Sequence, residues 1–282
     1  MNEKVKIVTD STCYLPKEIL EKYDIKTVPL YVRFGDKSYR ELVDMDRDEY
    51  YMRVRNGELP DTAQPSAEDF IAAYKPLVEQ GYSIISPLIS AEMSGTVNAA
   101  NAAKKALGDP DIYIFDSWFN SLGLGYQIIE IAKMLYEEGK SKEEVIKALP
   151  SIRDKMYIFF VVGDLYFLAR LGRIGRAKAV LGTMIKIKPL LYFHEGYVDT
   201  LEQPRTLKRA KKRMLELTKE IVSKKGLKYI SVIYGDNIEE AEEYRKECEK
   251  EFGRKIPLTQ LGPVIATHTG PKVLSLHFYT EK

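Results

Sequence analysis

Short apolar runs rich in Val, Ile and Tyr alternate along the chain with stretches of helical period, the pattern of βα units around a parallel sheet. Val5 to Val8 runs into D-S-T and a helix expected from about Pro16 to Tyr23. Ile84 to Ile89 runs into S-A-E-M-S-G-T, and Ile112 to Phe115 into D-S-W-F-N-S. Each of these strands ends in a Ser-bearing loop. Parallel strands would gather those loops at one sheet edge, outside the carboxyl ends, where open α/β sheets place ligands. In L-P-D-T-A-Q-P-S, residues 59 to 66, Ser66 reads as the N-cap of a helix over Ala67 to Glu79. Helical patterns over Leu122 to Glu138 and Lys142 to Lys155 end the first half. Past Tyr157 the texture changes: strands are expected at Ile158 to Val162, Pro189 to Phe193, Tyr229 to Ile233 and Val273 to Tyr279. Between them lie a basic helix, Leu207 to Lys225, and an acidic one, Glu239 to Glu251. The expected fold is α/β, with a parallel-sheet first domain and a second, two-layer domain beginning near residue 155.

Composition narrows the classes. With 282 residues, 45% of them apolar and 30% charged, the chain has enough to bury two cores and is neither disordered nor fibrous. Forty-three basic against forty-one acidic residues leave a net charge of +2, too small a bias to point to nucleic acid or an anionic membrane. Cys13 and Cys248 are far apart and make no framework or metal-ligand spacing. No apolar run approaches the ~18 residues of a transmembrane segment, and M-N-E-K passes directly into V-K-I-V without a signal-type stretch. A cytoplasmic protein is expected.

Ser94 is the first candidate for chemistry. A hydrolase elbow needs G-x-S-x-G, and here Glu92 and Met93 precede the serine. Alternatively Ser94, Gly95 and Thr96 lie in the first turn of a helix, whose free N–H groups and dipole favour a carboxylate or phosphate, or one of the two hydroxyls simply caps it. Thr62 sits in a stiff Pro-bounded loop, as a polar contact or an ordinary turn residue. Asp10, Ser11, Asp116 and Ser117 read as caps. His268, in a loop between two Gly-Pro elements, is either an anion donor or a structural histidine; His194 reads as a hairpin-turn residue and His277 as a strand-face residue, neither with a role. Three scattered histidines make a metal site improbable. The stretch from Arg170 to Lys188 carries Arg170, Arg173, Arg176, Lys178, Lys186 and Lys188 without an acid. Gly172 and Gly175 bracket Arg173 and suggest a bend that aims its guanidinium at a planar anion. There is no G-x-x-x-x-G-K-[ST] loop, and Gly123 with Gly125 is only part of a dinucleotide fingerprint.

In order along the chain, V-T-D-S-T (8–12), T-A-Q-P-S (62–66), S-A-E-M-S-G-T (90–96), L-G-R-I with A-K-A-V-L-G and I-K-P-L-L, and H-T-G-P (268–271) resemble the DegV family of bacterial fatty-acid-binding proteins. The resemblance implies a Rossmann-like three-layer domain over residues 1–155, a two-layer mixed-sheet domain over 156–282, and one buried long-chain fatty acid. It maps the carboxylate site onto Thr62, Ser94, Gly95 and His268. It also implies a lipid-presenting subunit without independent catalysis or cofactor, whose ligand is phosphorylated by a separate ATP-binding kinase subunit, with Arg173 and Arg205 facing that partner. The enzyme-class alternative is a serine hydrolase or acyltransferase using Ser94, His268 and Asp116. Leu171 and Lys272 replace family glycines, which matters if the backbone needs φ > 0 there.

Overall fold

The computed structural model describes residues 4–183 and 187–282. In chain order the elements are β1 (Val5–Asp10), α1 (Lys17–Lys22), β2 (Lys26–Val28), β3 (Tyr31–Phe34), β4 (Lys37–Arg40), α2 (Arg47–Arg55), β5 (Asp61–Ala63), α3 (Ala67–Glu79), β6 (Ser83–Leu88), α4 (Thr96–Ala106), β7 (Ile112–Asp116), α5 (Ser121–Ala132), α6 (Lys142–Asp154) and β8 (Met156–Val162). There follow α7 (Tyr166–Arg170), β9 (Leu190–His194), β10 (Tyr197–Glu202), α8 (Leu207–Lys225), β11 (Tyr229–Tyr234), α9 (Ile238–Phe252), β12 (Leu258–Gln260), α10 (Pro263–Thr269) and β13 (Val273–Tyr279).

The alternation of apolar runs and helices yields an α/β fold. A parallel sheet of order β2-β1-β6-β7 is followed by a six-stranded mixed sheet, β10-β9-β8-β13-β11-β12. Buried on both faces along most of their length, β1 and β6 carry apolar residues on both, as parallel strands do, with Thr9, Asp10 and Ser86 buried among them. The Ser66 N-cap is present as a full capping box with Asp69. On α8, Ala210, Met214 and Thr218 are buried while the lysines and arginines face outward. At F-H-E-G-Y the chain makes the expected hairpin: Glu195 (φ 50°) and Gly196 (φ 85°) form a two-residue turn between β9 and β10.

The structure departs from the sequence reading in several places: strands β2 and β12 and helices α2 and α7 were not among the expected elements. Between β2 and α3 the chain builds an additional antiparallel sheet, β4-β3-β5, of strands three or four residues long. And His268 lies on a helix rather than in a loop. Gly262 precedes Pro263 at the first position of α10, where a missing N–H does no harm, and Gly270 (φ 76°) ends it.

The largest core cluster runs through both sheets, joining Ile7 and Ile85 to Ile158, Leu191 and Tyr279. Helix α5, buried over nearly its whole length, packs against β6 as well as β8 and β13. The hairpin tip tucks against the loop after β6: Ser90 Oγ donates to the Gly196 carbonyl at 2.9 Å, and a Cβ on Gly196 would stand 2.6 Å from that hydroxyl. Glu41 pins α10 from the other side. Its buried carboxylate accepts from Ser11 Oγ (2.5 Å), Tyr14 OH (2.8 Å) and the Val264 amide at the start of α10 (2.8 Å).

Candidate functional site

Between the two large sheets, under α5 and α10, lies a pocket partly open to solvent. Its walls are mainly apolar, with Ile89, Ile158, Phe160, Leu168, Ile233 and Ile265 among them. At one end exposed Arg173 and Gln64 stand beside Thr62, Ser94 and His268. Among the described lining residues there is no acidic side chain, and Arg173 is the one fixed cation. An anion entering here meets donors and one positive charge without a competing carboxylate.

The short antiparallel sheet delivers Thr62 on β5 to the last turn of α10, where Thr62 Oγ1 and His268 Nε2 hydrogen-bond at 2.9 Å across 206 residues of sequence. The other imidazole nitrogen, Nδ1, is buried without a partner. Burial, reinforced by the charges of Arg173 and Arg170 and opposed by Asp61, pulls His268 down to about 3, so the imidazole is neutral near pH 7. A bound carboxylate would raise it again.

Ser94 lies just ahead of α4. Its hydroxyl pairs with Thr96 Oγ1 at 2.8 Å and receives the Thr96 amide at 3.3 Å, so it contributes to the helix start while lining the cavity. Gly95, the N-cap, has no side chain to cap the first turn of α4; Ser94 ahead of it lines the cavity, while Gly95 itself is not among the lining residues. Gly95 has an ordinary φ of −72°. An added Cβ would come within 2.1 Å of Oε1 at the tip of the exposed Gln64 side chain, which would have to swing aside.

The remaining candidates sort by geometry. Asp10 accepts from the Thr12 and Ile89 amides and caps the short turn Ser11–Cys13, as expected; Asp116 accepts from the amides of Ala91 and Trp118 and Ser117 pairs with the Phe119 backbone, fastening loops rather than capping a helix, and Ser11 donates to Glu41 instead of capping. Among the hydrogen bonds of the described residues, Ser94 does not reach His268 and no carboxylate reaches His268, as a hydrolytic triad requires. Arg173 is held at the pocket edge by donating to the carbonyls of Met93 (3.1 Å) and Leu171, with Gly172 (φ 75°) and Gly175 (φ 56°) making the expected bends around it. Gly175 also lies so close to Val198 that a Cβ would meet its carbonyl oxygen at 2.5 Å. Leu171 takes φ −103°, and Lys272 is absent from the positive-φ positions, so neither replacement of a family glycine strains the backbone. Lys272 and Arg205 are exposed and do not line the cavity; Arg205 precedes α8. Lys186 lies outside the described residues. Sequence reasoning passed over Asn120 and Ser121 at the start of α5, and Ser275 and His277 on β13, all of which line the cavity. The i, i+2 spacing of Ser275 and His277 was the available signal, since it places both on one strand face.

No group of three or more His, Cys, Asp or Glu among the described residues is placed to hold a metal, and none of the described helices is long and apolar enough to cross a membrane.

Fold and site together define a two-sheet α/β protein enclosing an apolar pocket with a hydroxyl- and imidazole-lined head. Over residues 4–281 the chain matches the family model described as "Uncharacterised protein, DegV family". It is 34% identical to Protein DegV of Bacillus subtilis, covering 96% of this chain and 98% of that one, and 34% identical to a DegV domain-containing protein of Listeria innocua, covering 98% of each. The chain belongs to the DegV family. Among solved structures it is similar to a fatty-acid-binding DegV family protein of Thermus thermophilus (TM-score 0.88, 32% identity, 98% of this chain and 99% of that one). It is equally similar to a stearic-acid-binding protein of Eubacterium ventriosum (TM-score 0.89, 32% identity, 98% of each chain).

Proposed function

We propose that the protein binds one long-chain fatty acid, with the tail in the apolar cavity and the carboxylate at Thr62, Ser94, the Gly95 turn and His268. The observation that carries this reading is the Thr62–His268 pair in a mainly apolar cavity whose described lining holds no acid. The fatty-acid-binding relatives of the same fold support it. At ~0.8 kcal/mol per buried methylene, a tail of about fourteen methylenes supplies roughly 11 kcal/mol gross, before immobilisation. The tail thus dominates affinity and the head group sets orientation.

The protein performs no chemistry of its own in this reading. It presents the carboxylate, at the solvent-facing end of the pocket, to a separate ATP-binding kinase subunit in the cytoplasm, with Arg173 and Arg205 toward the partner and the transferring phosphoryl group. The two-domain division at residues 1–155 and 156–282 belongs to the same proposal, with the lipid lying between the sheets. Native mass spectrometry of the purified protein, followed by extraction and gas chromatography of what it releases, tests the binding step. A stoichiometric long-chain fatty acid is expected; a chain that neither carries one nor takes up added palmitate or oleate refutes it.

A further inference from the structure

Away from the Thr62–His268 end, the cavity wall carries polar atoms that the head group does not use. His277, on β13, is 3% exposed and lines the cavity, and its Nδ1 is buried with no hydrogen-bond partner. Ser121, at the first turn of α5, is fully buried and lines the same cavity, and its Oγ is likewise without a partner. Both belong to one stretch of the pocket. Ile158 and Ser231 are the cross-strand neighbours of His277, and α5 packs over that row: Gly123 would bring a Cβ within 2.6 Å of Ile158 Cδ1, and Tyr126 OH pairs with Ser231 Oγ at 2.5 Å. Tyr126 and Ser231 thus satisfy each other, while the Ser275 hydroxyl donates to the Phe159 carbonyl at 3.0 Å and keeps acceptor capacity. His277 and Ser121 are left facing apolar space.

A saturated chain offers these atoms nothing, and a buried polar group left unmatched weakens the complex. Burial holds the His277 imidazole at about 3, so it stays neutral and one ring nitrogen donates while the other accepts. A hydroxyl, which both donates and accepts, matches either tautomer and a serine as well. A ketone can only accept, and a carbon–carbon double bond does neither. Along β13, at ~3.3 Å per residue, His277 lies ~13 Å beyond Val273, the β13 lining residue nearest in sequence to His268; that is on the order of ten carbon–carbon bonds of an extended chain.

We propose that the pocket is built for a fatty acid bearing a hydroxyl near mid-chain, hydrogen-bonded by His277 and Ser121. This rests on the fatty-acid-binding reading and specifies the class of acid. Delipidated full-length protein is offered equimolar stearic acid and, in turn, hydroxystearic acids carrying the hydroxyl at successive positions from the seventh to the twelfth carbon, with occupancy read by native mass spectrometry. The expected result is that at least one isomer displaces stearate with a preference on the order of ten-fold, the worth of a hydrogen bond to an otherwise unmatched buried group. His277→Phe, which keeps an aromatic ring of similar shape, should abolish that preference while stearate still binds, and Ser121→Ala should reduce it. Stearate outcompeting every isomer in the native protein overturns the proposal and leaves fatty-acid binding intact. A preference that survives in both variants also overturns it. Failure of stearate and every isomer to bind overturns both readings.

Discussion

Replacing Thr62 by valine keeps the shape of the side chain and removes the hydroxyl. In the native protein that hydroxyl holds His268 Nε2 at 2.9 Å, and Nδ1 has no partner, so the variant leaves the imidazole without a protein hydrogen bond on either nitrogen among the described residues. A bound carboxylate then loses one direct donor and faces a ring no longer fixed in orientation. A hydrogen bond to a charged group is worth ~1.5–3 kcal/mol, which at 1.4 kcal/mol per decade raises Kd by roughly ten- to 150-fold. Binding persists, because the ~11 kcal/mol gross from the tail is untouched. Calorimetric titration of delipidated Thr62→Val with palmitic acid should show that loss. Titration with hexadecanol, which keeps the tail and carries no charge, should show a smaller one. A loss for the alcohol as large as that for the acid would mean that Thr62 is part of the tail wall, and would refute its place at the head group.

Ser94→Ala should weaken palmitate binding by no more than ~3 kcal/mol, since the α4 amides remain, and native Ser94 should resist a fluorophosphonate probe because no base contacts its hydroxyl; stoichiometric labelling would restore the hydrolase reading. Arg173→Ala should retain full lipid occupancy by native mass spectrometry and lose turnover with an ATP-dependent kinase partner, and equal turnover would remove Arg173 from the transfer step. His277 gives a stability prediction with a definite sign. Burial takes it from its ordinary 6.5 to about 3, so below pH 6.5 the unfolded chain binds a proton that the folded chain refuses, and stability present above 6.5 is lost as pH falls. Relative to His277→Phe, the native protein should therefore lose ~1.4 kcal/mol per pH unit, or about 2 kcal/mol by pH 5. Urea melts of the two proteins that shift in parallel between pH 7 and 5 would contradict this.

What the sequence made legible is what is local. Ser66 announces its capping box because Asp69 is three residues away, F-H-E-G-Y announces its hairpin through the glycine, and the central strands of both large sheets stand out because burial keeps them largely apolar, whereas the three-residue edge strands β2 (K-T-V) and β12 (L-T-Q) do not. The meander β4-β3-β5 left no such trace. K-S-Y-R and D-T-A are too short to establish a period of two; the first is mostly exposed and the second half-buried throughout. Yet that meander carries Thr62 to His268, so the pairing at the centre of the site was the least readable part of the chain from pattern alone, and only the ordered set of family motifs pointed to those two residues together.

The same geometry explains why these polar groups suit holding a ligand better than attacking one. A general base needs a pKa near the working pH and a partner to orient it. His268 is pulled far below neutrality by burial and two nearby arginines, pairs with Thr62 rather than Ser94, and among the described residues has no acid on its other nitrogen to orient it. Ser94 is turned to Thr96. Arg173, by contrast, stands exposed at the edge, anchored by the Met93 and Leu171 carbonyls, where a second protein can reach both it and the end of a bound chain. An arrangement with unreactive donors inside and a cation at the rim fits a protein that keeps a carboxylate in place for a reagent brought from outside.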